Sequence, residues 1–111
     1  MPRSEKDIEA DVIRVLTAVG YRVTKTSQHG KPRGMTEGVP DLYAMHPGVP
    51  YSATQGPPHA IWVEVKSAAG RLRDSQVRWH RDAAACGVTV IVARSAADLV
   101  APLQALGIPI R

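Results

Sequence analysis

The segment Ile61-Trp62-Val63-Glu64-Val65-Lys66 decides the fold of this chain. Ile61, Val63 and Val65 alternate with Trp62, Glu64 and Lys66, and side chains of a strand alternate between its two faces. One face is apolar. The other ends in an acid and an amine on the same side, separated by two residues' rise, roughly 7 Å. Upstream, Gly38-Val39-Pro40-Asp41 leads into Leu42-Tyr43-Ala44-Met45, a second predicted strand from about Asp41 to Met45. Pro40 fixes its own φ and biases Val39 towards extended geometry, giving Asp41 a stiff mount. If the two strands pair as a hairpin, the start of one lies beside the end of the other. Asp41 then comes close to Glu64 and Lys66 at one end of the sheet.

Further elements follow outward from this pair. Ser4-Glu5-Lys6-Asp7 resembles a helix cap with acids in the first turn, where the helix dipole favours them. Ile8, Val12, Val15, Leu16 and Val19 recur at helical spacing, and Gly20 ends the helix. Tyr21 to Thr26 alternates and predicts a strand. Ser27 to Val39 is a long polar loop made basic by Lys31 and Arg33, and long loops in small domains are usually functional or mobile. His46 to His59, with four prolines, is an excursion between strands. Asp74 is placed to cap a helix running to about Cys86 and stopped by Gly87. Val88 to Ala93 is an almost wholly apolar run, expected as a central strand covered on both faces. Ser95 opens a last helix to about Leu106, and Ile108 to Ile110 is a candidate edge strand. The predicted order is αβββαβα. The strand–helix–strand step implies a crossover, so the fold class is α/β, a mixed sheet flanked by helices with a parallel part.

The composition fits one small domain. The chain has 111 residues, 44% of them hydrophobic, enough for one core. Lys and Arg outnumber Asp and Glu by 14 to 10, a net charge of +4 that suits a polyanion such as nucleic acid or serves only as a soluble basic surface. Cys86 is the single cysteine; it excludes an internal disulfide, points to a cytosolic setting and reads as a small core residue at an apolar helix end. No apolar run approaches the roughly 20 residues of a membrane span, and the N-terminus is not a signal peptide. His29, His46 and His59 read as loop residues, and the four histidines show no metal-ligand spacing.

The chemistry open to Asp41, Glu64 and Lys66 is phosphodiester hydrolysis. Mg²⁺ or Mn²⁺ held by carboxylates can activate water and relieve phosphoryl charge. Mg²⁺ takes oxygen ligands and keeps several waters, so Asp41, Glu64 and the backbone carbonyl of Val65 are a sufficient ligand set. Lys66 can orient or help deprotonate the water and stabilise the charged transition state. An acid-x-lysine at a strand end is more often a plain solvated face; the Pro-Asp entry distinguishes this one. Arg71, Arg73, Arg78 and Arg81, with His80 beside them, flank the second helix as candidate phosphate contacts, or as a solvated helix face. Lys31 and Arg33 are candidate clamps on the DNA. With two Trp, three Tyr and no Phe, base stacking is not expected as the main binding mode, and shape is a better guess than sequence reading.

These residues carry a resemblance. Gly38-Val39-Pro40-Asp41-Leu42, Trp62-Val63-Glu64-Val65-Lys66, Gly70-x-Leu72-x3-Gln76 and an acidic first helix are similar, in order and spacing, to the VRR-NUC family of the PD-(D/E)xK nuclease superfamily, from about Glu5 to Leu99. The resemblance implies a restriction-endonuclease-like core over residues 1–111 as a single nuclease domain. It implies a Mg²⁺- or Mn²⁺-dependent endonuclease acting on branched or flapped DNA, of the kind used in DNA repair, and a homodimer. Asp41, Glu64 and Lys66 map onto the family's catalytic positions, and Gln76 onto its helix glutamine. The first-helix acid is either Glu5 or Glu9, one turn apart on the same side. Compactness and resemblance together point to a bacterial or phage-infected cytoplasm. Two rivals stand beside this reading: a four-way-junction resolvase, and a non-catalytic DNA-binding accessory module of nuclease fold.

Overall fold

The computed structural model describes residues 3–26, 37–47, 59–108 and 110. Lys31, Arg33 and His29 lie outside the described residues, as do most of both predicted inter-strand excursions. The elements are α1 (Glu5–Ala18), β1 (Arg22–Lys25), β2 (Leu42–His46), β3 (His59–Val65), α2 (Asp74–Ala85), β4 (Thr89–Ala93), a 3-10 turn (Ala96–Leu99) and α3 (Val100–Ala105). This is the predicted αβββαβα order.

The sheet has the spatial order β1-β2-β3-β4. β1 pairs antiparallel with β2, and β2 pairs antiparallel with β3 with Leu42 opposite Val63 and Tyr43 opposite Trp62. β4 runs parallel to β3, with Trp62 opposite Val90 and Glu64 opposite Val92. The hairpin and the crossover anticipated from the sequence are both present. The mixed four-stranded sheet with flanking helices is the restriction-endonuclease-like architecture.

Strand parity divides the sheet into two unlike faces. Leu42, Ala44, Ile61, Val63, Val65, Ile91 and Ala93 lie on one face, all buried against Ile8, Val12 and Leu16 of α1 and against Leu99 and Leu103. Ser4 caps α1 as expected, its hydroxyl accepting from the Asp7 amide at 3.2 Å. The other face carries Tyr43, Met45, Trp62, Glu64, Val90 and Val92, and α2 crosses it.

Five expectations need correction. The apolar Val88–Ala93 run forms an edge strand, not a central one; its apolarity serves burial by α2 on one side and by the core on the other. Ile108 and Ile110 are buried in the core, and among the described residues neither belongs to a strand. Asp74 is the first residue of α2, and Arg73 occupies the cap position. Cys86 is exposed, because α2 ends just before it and turns it away from the core. His46, expected in a loop, closes β2 and holds the Val19 carbonyl at 2.8 Å.

Candidate active site

Asp41 immediately precedes β2, and Glu64 is the penultimate residue of β3. Extending the Leu42–Val63 register by one step sets Asp41 opposite Glu64. Asp41 is held by its backbone and its side chain together: its carbonyl accepts from the Thr26 amide at 2.8 Å, and its Oδ2 accepts from the Val65 amide at 2.8 Å. The Thr26 hydroxyl donates to the carbonyl of Pro40, itself fully buried. The stiff Pro-Asp mount inferred from sequence is thus tied to both neighbouring strands.

Glu64 is 1% exposed and Lys66 is 9% exposed. Burial pushes the Glu64 carboxyl up to about 9, and the adjacent Asp41 adds to this through a shared side-chain hydrogen bond and its charge. Lys66 and Arg73 oppose the rise. Two adjacent carboxyls form an oxygen-donor pair, and a bound cation would offset the repulsion between their charges. The donors are hard and oxygen-rich, which fits Mg²⁺ or Mn²⁺ and not a soft metal. Asp41 and Glu64, with the Val65 carbonyl between Glu64 and Lys66, are the residues that would hold such an ion.

α2 closes over this pair. Gln76 is 4% exposed, and its Oε1 accepts from the Arg73 amide at 2.8 Å, so its carbonyl end is committed to starting the helix. One turn later, His80 sets Nε2 3.4 Å from Glu64 Oε1. Burial and the nearby Lys66 charge hold its imidazole below its usual range. His80 was grouped with the surface arginines in the sequence; its spacing of four from Gln76 is the signal that places both on the inward face of α2. The start of α2 is itself fixed by Gly38. With φ +89°, a Cβ here would sit 2.2 Å from the Ser75 carbonyl oxygen. The loop that delivers Asp41 therefore touches the backbone of the helix that delivers Gln76 and His80.

The first-helix acids are placed differently from one another. Glu9 is paired with Lys25, whose Nζ lies 3.2 Å from Glu9 Oε1 outside hydrogen-bond geometry, on the α1 face of the sheet. The structure does not bring it onto the face that carries Glu64. Glu5 is exposed and lies against the turn after Lys66: a Cβ on Gly70 would be 3.5 Å from its Oε1. That turn is clamped by Arg94, which the sequence did not single out. Its Nη1 donates to the carbonyls of Ser67 at 2.7 Å and Gly70 at 2.6 Å, while its amide is held by Asp98 at 2.8 Å. Arg71, Arg73, Arg78 and Arg81 are all exposed along and before α2; Arg73 alone is close enough to act on the Glu64 charge.

No helix among the described residues is long and apolar enough to cross a membrane. No curated protein matches the chain. Residues 9–97, most of the 111, match the VRR-NUC domain family, a family of nuclease domains. The mixed sheet and this match agree, and the chain belongs to the VRR-NUC family.

Proposed function

We propose that the protein is a Mg²⁺- or Mn²⁺-dependent DNA endonuclease that selects branched or flapped DNA. The observation that supports it best is half-buried Asp41 beside buried Glu64, with Lys66 on the same face at the end of the β2–β3 hairpin. When bound, the metal supplies charge neutralisation for the phosphoryl group and a more acidic water. The remaining roles belong to the chain. Asp41 and Glu64 would hold the ion, with Asp41 kept in place by the Val65 amide. Lys66 orients the attacking water and offsets charge gained in the transition state. His80 fixes one Glu64 oxygen, and α2 shields that side from solvent. The exposed arginines of α2 contact phosphates, which positions DNA without reading its sequence.

The deciding experiment incubates the protein with labelled linear, flapped and four-way-junction DNA in Mg²⁺, Mn²⁺ or EDTA, beside Lys66→Ala. The expected result is metal-dependent cleavage that Lys66→Ala abolishes while DNA binding persists. Preference for the four-way junction favours a resolvase. Binding without cleavage of any substrate favours an accessory module instead. A homodimer belongs to the same proposal, since two sites can cut two strands; a monomeric mass by analytical ultracentrifugation at micromolar concentration overturns that part.

A further inference from the structure

Three of the chain's five Trp and Tyr residues gather on the face that carries the carboxylates. Asp41, Tyr43 and Met45 share that face on one strand, and Glu64, Trp62 and Ala60 share it on the next. Side chains on one face repeat every two residues, so the Tyr43–Trp62 pair stands one step, roughly 7 Å, from the Asp41–Glu64 pair. The Tyr43 and Trp62 rings are 4.7 Å apart, and Trp79 of α2 meets Trp62 edge-on at 5.1 Å. All three rings are only half-buried, and beyond them the strip continues to Met45, 42% exposed. Arg22, exposed on β1, stands opposite Met45 on the same face.

We propose that Tyr43, Trp62 and Trp79 form a stacking platform for the unpaired bases of a single-stranded DNA arm; this rests on the nuclease reading of the adjacent carboxylates. A core cluster has no need to leave three touching rings half open. A site that cuts at the junction of paired and unpaired strands must hold the unpaired one beside the carboxylates, and every base offers a π-face to such rings. The basic surroundings favour a polyanion over an apolar protein partner, with Arg22 at one end and the arginines of α2 along the side. The earlier expectation from composition, that base stacking plays little part, counted rings without knowing that they converge.

The test uses the full-length protein in EDTA, where cleavage is blocked, and flapped DNA carrying 2-aminopurine at successive positions of the unpaired arm. Stacking predicts fluorescence quenching at one or two adjacent positions near the junction. Replacing those bases by abasic sites should weaken binding of the wild-type protein. Loss of one stack corresponds to roughly 5- to 150-fold in Kd. Trp62→Leu and Tyr43→Leu keep apolar cover and should give the same weakening for flapped DNA, with less than about twofold change for blunt duplex. Circular dichroism checks their fold, and the abasic scan needs no variant at all. Quenching at no position, or indifference to abasic sites, overturns the platform. A shift of the monomer–dimer equilibrium in Trp62→Leu without any change in arm binding also overturns it, and assigns the face to a second copy of the chain. Cleavage of linear DNA in Mg²⁺ or Mn²⁺ is scored separately. Cleavage without quenching sinks the platform alone; quenching without cleavage in either metal supports the platform and sinks the nuclease reading.

Discussion

Gly38→Ala is the sharpest perturbation the structure offers, because Gly87 provides its control. Both glycines have positive φ, +89° and +75°. A Cβ at Gly87 meets nothing within 4 Å, whereas at Gly38 it meets the Ser75 carbonyl oxygen at 2.2 Å, the Ser75 carbonyl carbon at 2.6 Å and the Gln76 amide at 3.0 Å. An L-residue in left-handed geometry costs about 1–2 kcal/mol, and this should be the whole cost of Gly87→Ala. Gly38→Ala carries the same cost plus an overpacking cost of about 1–3 kcal/mol, since the obstacle is backbone and cannot rotate away. The sum is roughly 2–5 kcal/mol, which at about 4 °C per kcal/mol for a chain of this size lowers Tm by roughly 8–20 °C. Gly87→Ala should lower it by roughly 4–8 °C. The Gly38 contact also spaces Asp41 from α2, so cleavage below the melting range should fall with Gly38→Ala and hold with Gly87→Ala. Thermal melts and a DNA cleavage assay on both variants decide the matter. If they melt within about 2 °C of each other, the close approach of the Asp41 loop to α2 is not what requires glycine at position 38.

Glu64 has its proton affinity raised by folding, to about 9. The folded state therefore holds a proton that the unfolded chain releases near its ordinary carboxylate pKa, and the associated stability is present at low pH and lost as pH rises from about 4.5 towards 9. In EDTA, Glu64→Gln should thus gain stability over wild type more at pH 8 than at pH 5 in urea melts; an equal difference at both pH values refutes the shift. Arg94→Met removes the charged Nη1 donor that reaches two carbonyls, and should cost about 1.5–3 kcal/mol by urea denaturation. No measurable loss would show that the turn after Lys66 stands without the clamp. Cys86 is exposed, so a thiol reagent such as DTNB should modify it fully in the native protein; protection until denaturant is added would return it to the core.

Chain-local physics made the elements legible. The two-residue alternation of Ile61–Lys66 gave its strand and the parity of Glu64 and Lys66, and the helical stripe of Ile8, Val12 and Leu16 gave α1. The Pro40-Asp41 entry, read as a stiff mount, is one. These features depend on neighbours within a few residues, so sequence alone determined them, along with the α/β class. Sheet position, depth and facing were decided only in three dimensions. An apolar strand such as Thr89–Ala93 reads alike at the centre or at an edge covered by a helix. Cys86 looked like core because its neighbours are apolar, yet the helix ends too soon to turn it inward. Glu5 and Glu9 share one side of α1, but Lys25 on a separate strand claims Glu9. His80 became part of the site because α2 crosses the one sheet face that carries Glu64. The physical reason is common to all four cases: burial and electrostatic partners are long-range properties, set by which surfaces the crossover brings together, and no local pattern records them.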